Sequence, residues 1–395
     1  MVWAYVIRSW DRELFKRCRR AWDFSSRERQ NYEPIKPLRV FDFDRAIHDA
    51  LAVYYFPGMW EWNRQIVLPL VIEGFFKSMY RQRDKYIEEQ QELSPEEEQD
   101  WNDHLKLGEN MLKRYFDWAS TVDRFSPIQV EPDFEVNIPD PLNPGQDLVA
   151  PGSVPIVPIR YRGRIDLLVV DEYNAYWLVD HRIVEKDWEG IDQLLLDEQG
   201  ISYCWALENF FPGMRIAGVI YNELRKGILT VIDKAEPLRM SQIETYEPSQ
   251  PERSTLLVEE SQKAGPEKDR VVQHRRIYMQ AIREPDPVIR QQGNNFFRRT
   301  QIPRSRATIE NFGRQIVLEA MEMTSPEVRL YPSPSVENCS RCAYRRPCIA
   351  MNEGSDIGSI LETSYRKRSK REFEEGRIGG STWSMDRGAM PPKFG

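Results

Sequence analysis

The chain has 395 residues, 41% of them hydrophobic, and a formal charge of −7. That apolar share supports one large or two ordinary folded domains and excludes global disorder, and the acidic balance argues against nonspecific coating of nucleic acid while leaving a local basic groove open. The start, Met1 to Arg12, lacks the apolar core of a signal peptide, and the best apolar run, Ile66 to Phe76, contains Pro69 and Glu73, so a soluble cytoplasmic protein is expected.

Ser9 is placed to cap a helix running from about Trp10 into the twenties, with Asp11 and Glu13 in its first turn. Cys18 lies on it among Lys16, Arg17, Arg19 and Arg20, a setting that suits a ligating thiol or, more plainly, a packed thiol on an amphipathic helix. A second helix is expected from Asp42 through Tyr55, carrying His48 beside Ile47 and Leu51. Residues 60–125 read as mainly helical, with a solvated charged stretch from Tyr86 to Asp100 and a core-facing one from Trp101 to Trp118. Ile128 to Val136 alternates as a strand on which Glu131 and Glu135 share parity, and the Pro/Gly-rich stretch 137–158 reads as a loop.

Two apolar runs follow, Ile165 to Val170 and Tyr176 to Val184, joined as a hairpin at Glu172-Tyr173-Asn174. Each carries one aspartate, Asp166 and Asp180, and a buried carboxylate is costly unless cations or hydrogen bonds compensate it. Strand alternation puts Leu178, Asp180 and Arg182 on one face. Two carboxylates and a cation on a sheet surface are the minimum equipment for holding a divalent metal against a phosphate. The next helix places Gln199 and Tyr203 on one face and carries Cys204 as a core thiol. Ile216 to Tyr221 reads as a strand, with Leu229 to Ile232 as its expected partner and a polar loop over 235–268.

The region up to Gly354 is expected to be helical and rich in arginine, with Arg275, Arg276, Arg283, Arg290, Arg298, Arg299, Arg304, Arg306 and Arg314 around Phe296 and Phe297. Such a pattern can track a nucleic-acid backbone and stack bases, although most such arginines solvate helix faces. Cys339, Cys342 and Cys348 then form C-x2-C-x5-C, a spacing open to zinc, iron–sulfur or coincidence. The last stretch is basic, then Gly/Pro-rich, and is expected to be disordered.

Asp166 in G-R-I-D, Asp180 and Arg182 in V-D-H-R, and Gln199 with Tyr203 in Q-x-x-x-Y together resemble the PD-(D/E)XK nuclease superfamily, in particular its RecB-like branch. Cys18 before these motifs and Cys339, Cys342 and Cys348 after them resemble the iron–sulfur staple of RecB-like nucleases, including CRISPR-associated RecB-like exonucleases. Stand-alone phage-encoded members, which work in the host cytoplasm, are similar too. The resemblance implies an α/β fold with a restriction-endonuclease-like core, a central mixed sheet flanked by helices, plus further helical segments and a C-terminal cysteine-bound staple. On this basis residues 1–125 form an N-terminal helical region and 126–235 the nuclease core. Residues 236–354 form a helical arginine-rich region ending in the cysteine trio, and 355–395 a basic disordered tail.

The same resemblance implies Mg²⁺ or Mn²⁺ at Asp166, Asp180 and His48, although a lone histidine among apolar neighbours is more often structural. It implies catalytic work for Arg182, Gln199 and Tyr203, and a further acidic group at Glu131. It also implies a [4Fe–4S] cluster on the four cysteines, with Zn²⁺ as the alternative. The implied activity is a DNA exonuclease acting on single strands or ends, in repair or recombination and with a helicase or recombination protein as partner. The alternative is a DNA-binding subunit weakened in catalysis. One position departs from the family pattern, because Arg182 stands where a lysine is expected, and arginine can neutralise charge but not act as a base. Either Arg182 suffices, or Lys186 reaches in from the following turn, or the chain binds DNA ends without cutting them. No phosphate-binding Walker A motif is present, which argues against an ATP motor.

Overall fold

The computed structural model describes residues 4–36, 41–90, 92–226, 242–246 and 288–368. Two apolar clusters lie on either side of a seven-stranded sheet. Its order is β3 (Phe125–Val130), β6 (Leu167–Asp171), β7 (Tyr176–Val184), β8 (Ile216–Arg225), β11 (Phe297–Pro303), β10 (Ile289–Gly293) and β9 (Gln242–Tyr246). Only β7 and β8 are parallel; the other neighbours are antiparallel. Strand β8 is buried along almost its whole length, as a strand covered on both faces must be.

Alternation sorts the side chains between the two layers. Leu167, Val169, Trp177, Val179, Ile220 and Leu224 pack against helices α3 (Phe43–Tyr54), α4 (Arg64–Gln90) and α5 (Pro95–Val122). Leu168, Leu178, Ile216 and Tyr221 face α7 (Glu198–Phe210) and α8 (Arg306–Thr324). A smaller sheet completes that second layer, with β5 (Ile159–Arg164) between β1 (Tyr5–Arg8), which is parallel to it, and β4 (Asp133–Asn137), which is antiparallel. The result is the mixed α/β architecture expected, a central mixed sheet flanked by helices.

Local chemistry fixes the element ends. Asp42 caps α3 by accepting the Arg45 N–H at 3.0 Å. Ser94 and Glu97 cap α5 reciprocally, with Pro95 at its first position. The β6–β7 hairpin turns on Asp171, whose carboxylate accepts the N–H groups of Tyr173 and Ala175 and the Trp177 indole, while Asn174 takes φ 61.

Several expectations are corrected. The first helix breaks at Cys18, whose extended backbone separates α1 (Ser9–Arg17) from α2 (Arg19–Ser25). The strand expected over Ile128 to Val136 is split at Glu131, where φ is 46, so Glu131 and Glu135 do not share a strand face. The region after 235 is not wholly helical: β11 pairs with β8 and β10 with β11, so the central sheet crosses that expected boundary. Several of the described arginines there make contacts within the fold. Arg298 binds Glu223 at 2.6 Å, Arg304 caps the carbonyls of Leu194 and Leu195, Arg306 binds Glu208, and Arg314 binds Asn311. The first part of the expected tail, up to residue 368, is structured, with α11 (Gly358–Ser364) and β12 (Tyr365–Lys367), which pairs with β2 (Tyr32–Pro34), and residues 369–395 lie outside the described residues. Leu229 to Ile232 and Arg275, Arg276 and Arg283 lie outside the described residues. Among the described residues no helix is long and apolar enough to cross a membrane.

Arg299 is the most deeply placed of these cations, only 4% exposed. It forms an ion pair with Asp123 and donates to Tyr55 Oη at 3.1 Å, Tyr115 Oη at 3.2 Å and Asn222 Oδ1 at 3.2 Å. It thereby ties α5 and the end of α3 to β8 and β11. Removing one member of a buried pair leaves the other charge uncompensated. Arg299→Met is therefore expected to lower stability by about 3–5 kcal/mol, read as a drop in the denaturant midpoint; an unchanged midpoint contradicts this.

Candidate active site

The β6–β7 ladder pairs Leu168 with Leu178 and Leu167 with Val179. One step further in the same register, Asp166 falls opposite Asp180. Asp166 continues the pairing with its side chain, Oδ2 accepting the His181 N–H at 2.8 Å. Its carbonyl accepts the Glu131 N–H at 2.8 Å. From the helical layer, His48 places Nδ1 3.3 Å from Asp166 Oδ1. His48 and Asp166 are therefore paired at the end of the strand pair where the register sets Asp166 opposite Asp180.

Their electrostatics divide the two carboxylates. Burial works against the charged form of Asp166, but the His48 ion pair and the His181 contacts outweigh it and hold its carboxyl below the usual range. Burial likewise opposes the His48 cation, yet Asp166 raises its pKa to about 9. Asp180 is pushed upward, first by burial and then by Asp166 and Asp197, against the pull of Arg182. His181, 5% exposed, is pulled down by burial to about 3 and is neutral.

Arg182 is held by three carboxylates. Its Nε lies 2.6 Å from Asp180 Oδ2, Nη2 lies 3.0 Å from Asp197 Oδ2, and Nη1 is paired with Glu189. Its guanidinium sits 4.6 Å from the Tyr221 ring centroid. Asp197 also caps α7 through the Gly200 N–H at 2.9 Å and accepts the Tyr221 hydroxyl at 2.9 Å. Sequence reasoning singles out neither Asp197 nor Glu189. A helix-cap pattern before Gly200 was the available signal for the first; the second, a long-range partner in a connecting segment, has none. Lys186 is exposed beyond the end of β7, six positions past Asp180, and among the described residues it has no contact with either aspartate.

On α7, Gln199 Nε2 donates to Tyr203 Oη at 3.3 Å, and that hydroxyl pairs with Ser9 Oγ at 3.0 Å. Burial keeps Tyr203 protonated, and both Asp166 and Asp180 lie close enough to raise it further. Ser9, expected as a helix cap, thus works as a partner of the site tyrosine instead. The glycine of G-R-I-D has a packing reason. A Cβ on Gly163 would lie 2.5 Å from Phe134 Cζ and 2.8 Å from Tyr203 Cε1.

A family description of the PD-(D/E)XK nuclease superfamily matches residues 11–349. The chain belongs to this superfamily. No curated protein matches it. Membership carries nuclease chemistry on DNA, and nucleases of this superfamily usually use Mg²⁺ or Mn²⁺. The donors here, two carboxylates and an imidazole, suit such cations in type. Among the described residues, however, no three His, Cys, Asp or Glu side chains are gathered closely enough to hold a metal ion. His48 is instead engaged by Asp166, so ligation requires this PD-(D/E)XK site to exchange the pair for metal contacts.

The same lack of a closed ligand shell applies to the cysteines. Cys18 and Cys342 pack against one small cluster of Phe24, Tyr344, Leu361 and Tyr365. Burial raises the Cys342 thiol, and Cys18, Cys339 and Cys348 are all near enough to raise it further. Arg20 reaches Cys348 Sγ at 3.5 Å, and the Asn338 side chain donates to the Arg17 carbonyl at 3.3 Å. Among the described residues the cysteines are thus in electrostatic range of Cys342 without forming a group able to hold a metal ion. Cys204, fully buried on α7 with its thiol pushed up to about 12, belongs to the core.

Because Gly163 allows β5 to approach Tyr203, Gly163→Ala is expected to lower stability by about 1–3 kcal/mol through displacement of Phe134 and Tyr203. Chemical denaturation checks this, and an unshifted midpoint contradicts it.

Proposed function

We propose that the chain is a RecB-like, metal-dependent deoxyribonuclease that shortens DNA from single strands or ends. The observation that carries this reading is Asp166 opposite Asp180 at the end of one strand pair, with His48 joined to the first. A Mg²⁺ or Mn²⁺ ion held by these three residues would supply Lewis acidity toward the phosphoryl oxygen and a more acidic bound water. The protein groups have separate tasks. To serve as a ligand His48 would give up the proton it shares with Asp166, which would link ion binding to its deprotonation. Arg182 keeps Asp180 in place from the outer side, and Tyr203 Oη, fixed by Ser9 and Gln199, is a donor for a phosphate oxygen. Glu131, next to the Asp166 carbonyl, is a further acidic group on the same side.

The preference for ends rests on the RecB-like order of Cys18, Asp166, Asp180, Gln199, Tyr203 and the terminal cysteines. The same order supports a structural [4Fe–4S] cluster, or Zn²⁺ in its place, pinning the break between α1 and α2 to the C-terminal segment. A place in DNA repair or recombination beside a helicase belongs to this reading too. A second reading, binding of DNA ends without cleavage, is favoured by one observation: the guanidinium at the lysine position is committed to three carboxylates.

Anaerobically purified protein incubated with end-labelled single- and double-stranded DNA and Mn²⁺ or Mg²⁺ tests the proposal. Cleavage that falls about 10²-fold or more in Asp180→Ala is expected. Cleavage indifferent to that change discards the site, and metal-dependent binding without cleavage selects the second reading. For the staple, broad visible absorbance lost in Cys342→Ala is expected; a colourless protein containing zinc selects the alternative.

A further inference from the structure

A nuclease site requires a cation facing the scissile phosphate, and Arg182 is badly placed to be it. Its Nε, Nη1 and Nη2 are each committed to a different carboxylate, and Tyr221 covers the guanidinium. Turning any edge toward a phosphate would break one of these contacts and leave a half-buried carboxylate without its partner.

Helix α3, which carries His48, presents another arginine. Arg45 lies one turn before His48, so the two share a helix face. It is anchored at Nε, 3.0 Å from Asp49, and Asp49 is itself fixed by the Ser78 hydroxyl at 2.6 Å. Nη2 is buried and has no hydrogen-bond partner. An unpaired charged donor in a buried place is costly and suits an incoming acceptor. Glu131 adjoins Asp166: its N–H donates to the Asp166 carbonyl, and its carboxylate pairs with Arg164 at 3.4 Å. It does so with φ 46, a conformation that non-glycine residues adopt only under constraint. Burial raises the Glu131 carboxyl, and Arg45 is the strongest charge opposing that rise.

We propose that Arg45, and not Arg182, is the catalytic arginine, its Nη2 edge receiving a nonbridging oxygen of the scissile phosphate while Arg182 is a positioning residue for Asp180. This rests on the nuclease reading above. Arg45 exchanges no proton in this role; it neutralises charge as the phosphate becomes five-coordinate. The ion pair with Asp49 holds the guanidinium near this position in advance, which reduces the ordering left for the reaction.

The full chain is assayed as Arg45→Ala, Arg45→Lys and Arg182→Lys, with turnover, Mn²⁺ affinity, and DNA binding in Ca²⁺ by fluorescence anisotropy. Arg45→Ala is expected to lower kcat about 10²–10³-fold at unchanged Mn²⁺ affinity, with partial recovery on adding ethylguanidinium. Arg45→Lys, which keeps a charge beside Asp49 if the alanine variant fails to fold, is expected to lose at least about tenfold in kcat. Arg182→Lys is expected to give no gain. Unchanged kcat in both Arg45 variants, or a rise in Arg182→Lys, overturns the assignment. Wild-type cleavage that survives in Asp180→Ala sinks the nuclease reading instead. In that case the Ca²⁺ arm decides: binding weakened about tenfold in Arg45→Ala retains Arg45 as a phosphate contact, and unchanged binding removes it.

Discussion

Two carboxylates set opposite each other across a strand pair repel, and the surroundings of Asp166 and Asp180 are arranged around that repulsion. Each receives its own compensation. Asp166 takes the His48 imidazolium and the His181 N–H, and remains ionised. Asp180 has Arg182 beside it but still sits above the usual carboxylate range, because burial and the neighbouring acids outweigh that one cation. A divalent cation between the two would satisfy both at once. Such an ion would thus relieve the repulsion of the like-charged pair.

The backing of the site comes from the short run Val179-Asp180-His181-Arg182. Strand alternation sends Asp180 and Arg182 to the α7 side and His181 to the other. There its Nδ1 lies 2.9 Å from Asn222 Nδ2, and its ring stacks on Tyr55 with centroids 5.6 Å apart. Asn222 is in turn bonded to Tyr115 at 2.9 Å and to Arg299 at 3.2 Å. With the amide nitrogen facing Nδ1, the imidazole proton is assigned to Nε2. The backbone N–H that holds Asp166 therefore belongs to a residue locked from behind by the buried arginine. Position at the candidate active site and stability of the core are two consequences of one network.

How much of this was legible in the sequence depended on range. Asp166 and Asp180 could be placed because both cues are local: a period of two along each strand and turn residues between them. His48 was legible as a residue of α3, since Asp42 marks the helix start, but family resemblance implied it only as a metal ligand, and its ion pair with Asp166 left no sequence signal. The partners of Arg182 were not legible, because Asp197 and Glu189 approach it through folding of the segment after β7. Strand β11 was hidden for a related reason. Its Arg298 and Arg299 suggest solvated helix faces until Glu223 and Asp123 are seen to neutralise them across the sheet. Arg45 gave no signal either, as one charged residue on an amphipathic helix looks like any other until its unpaired edge is known.

Pulsed EPR of the Mn²⁺-loaded chain tests the convergence of these ligands most directly. A single bound ion showing hyperfine coupling to one histidine nitrogen is expected, the coupling vanishing in His48→Ala and the ion itself in Asp166→Asn. An ion retained at full stoichiometry in Asp166→Asn, or one with no nitrogen coupling in the wild type, would contradict the shared site.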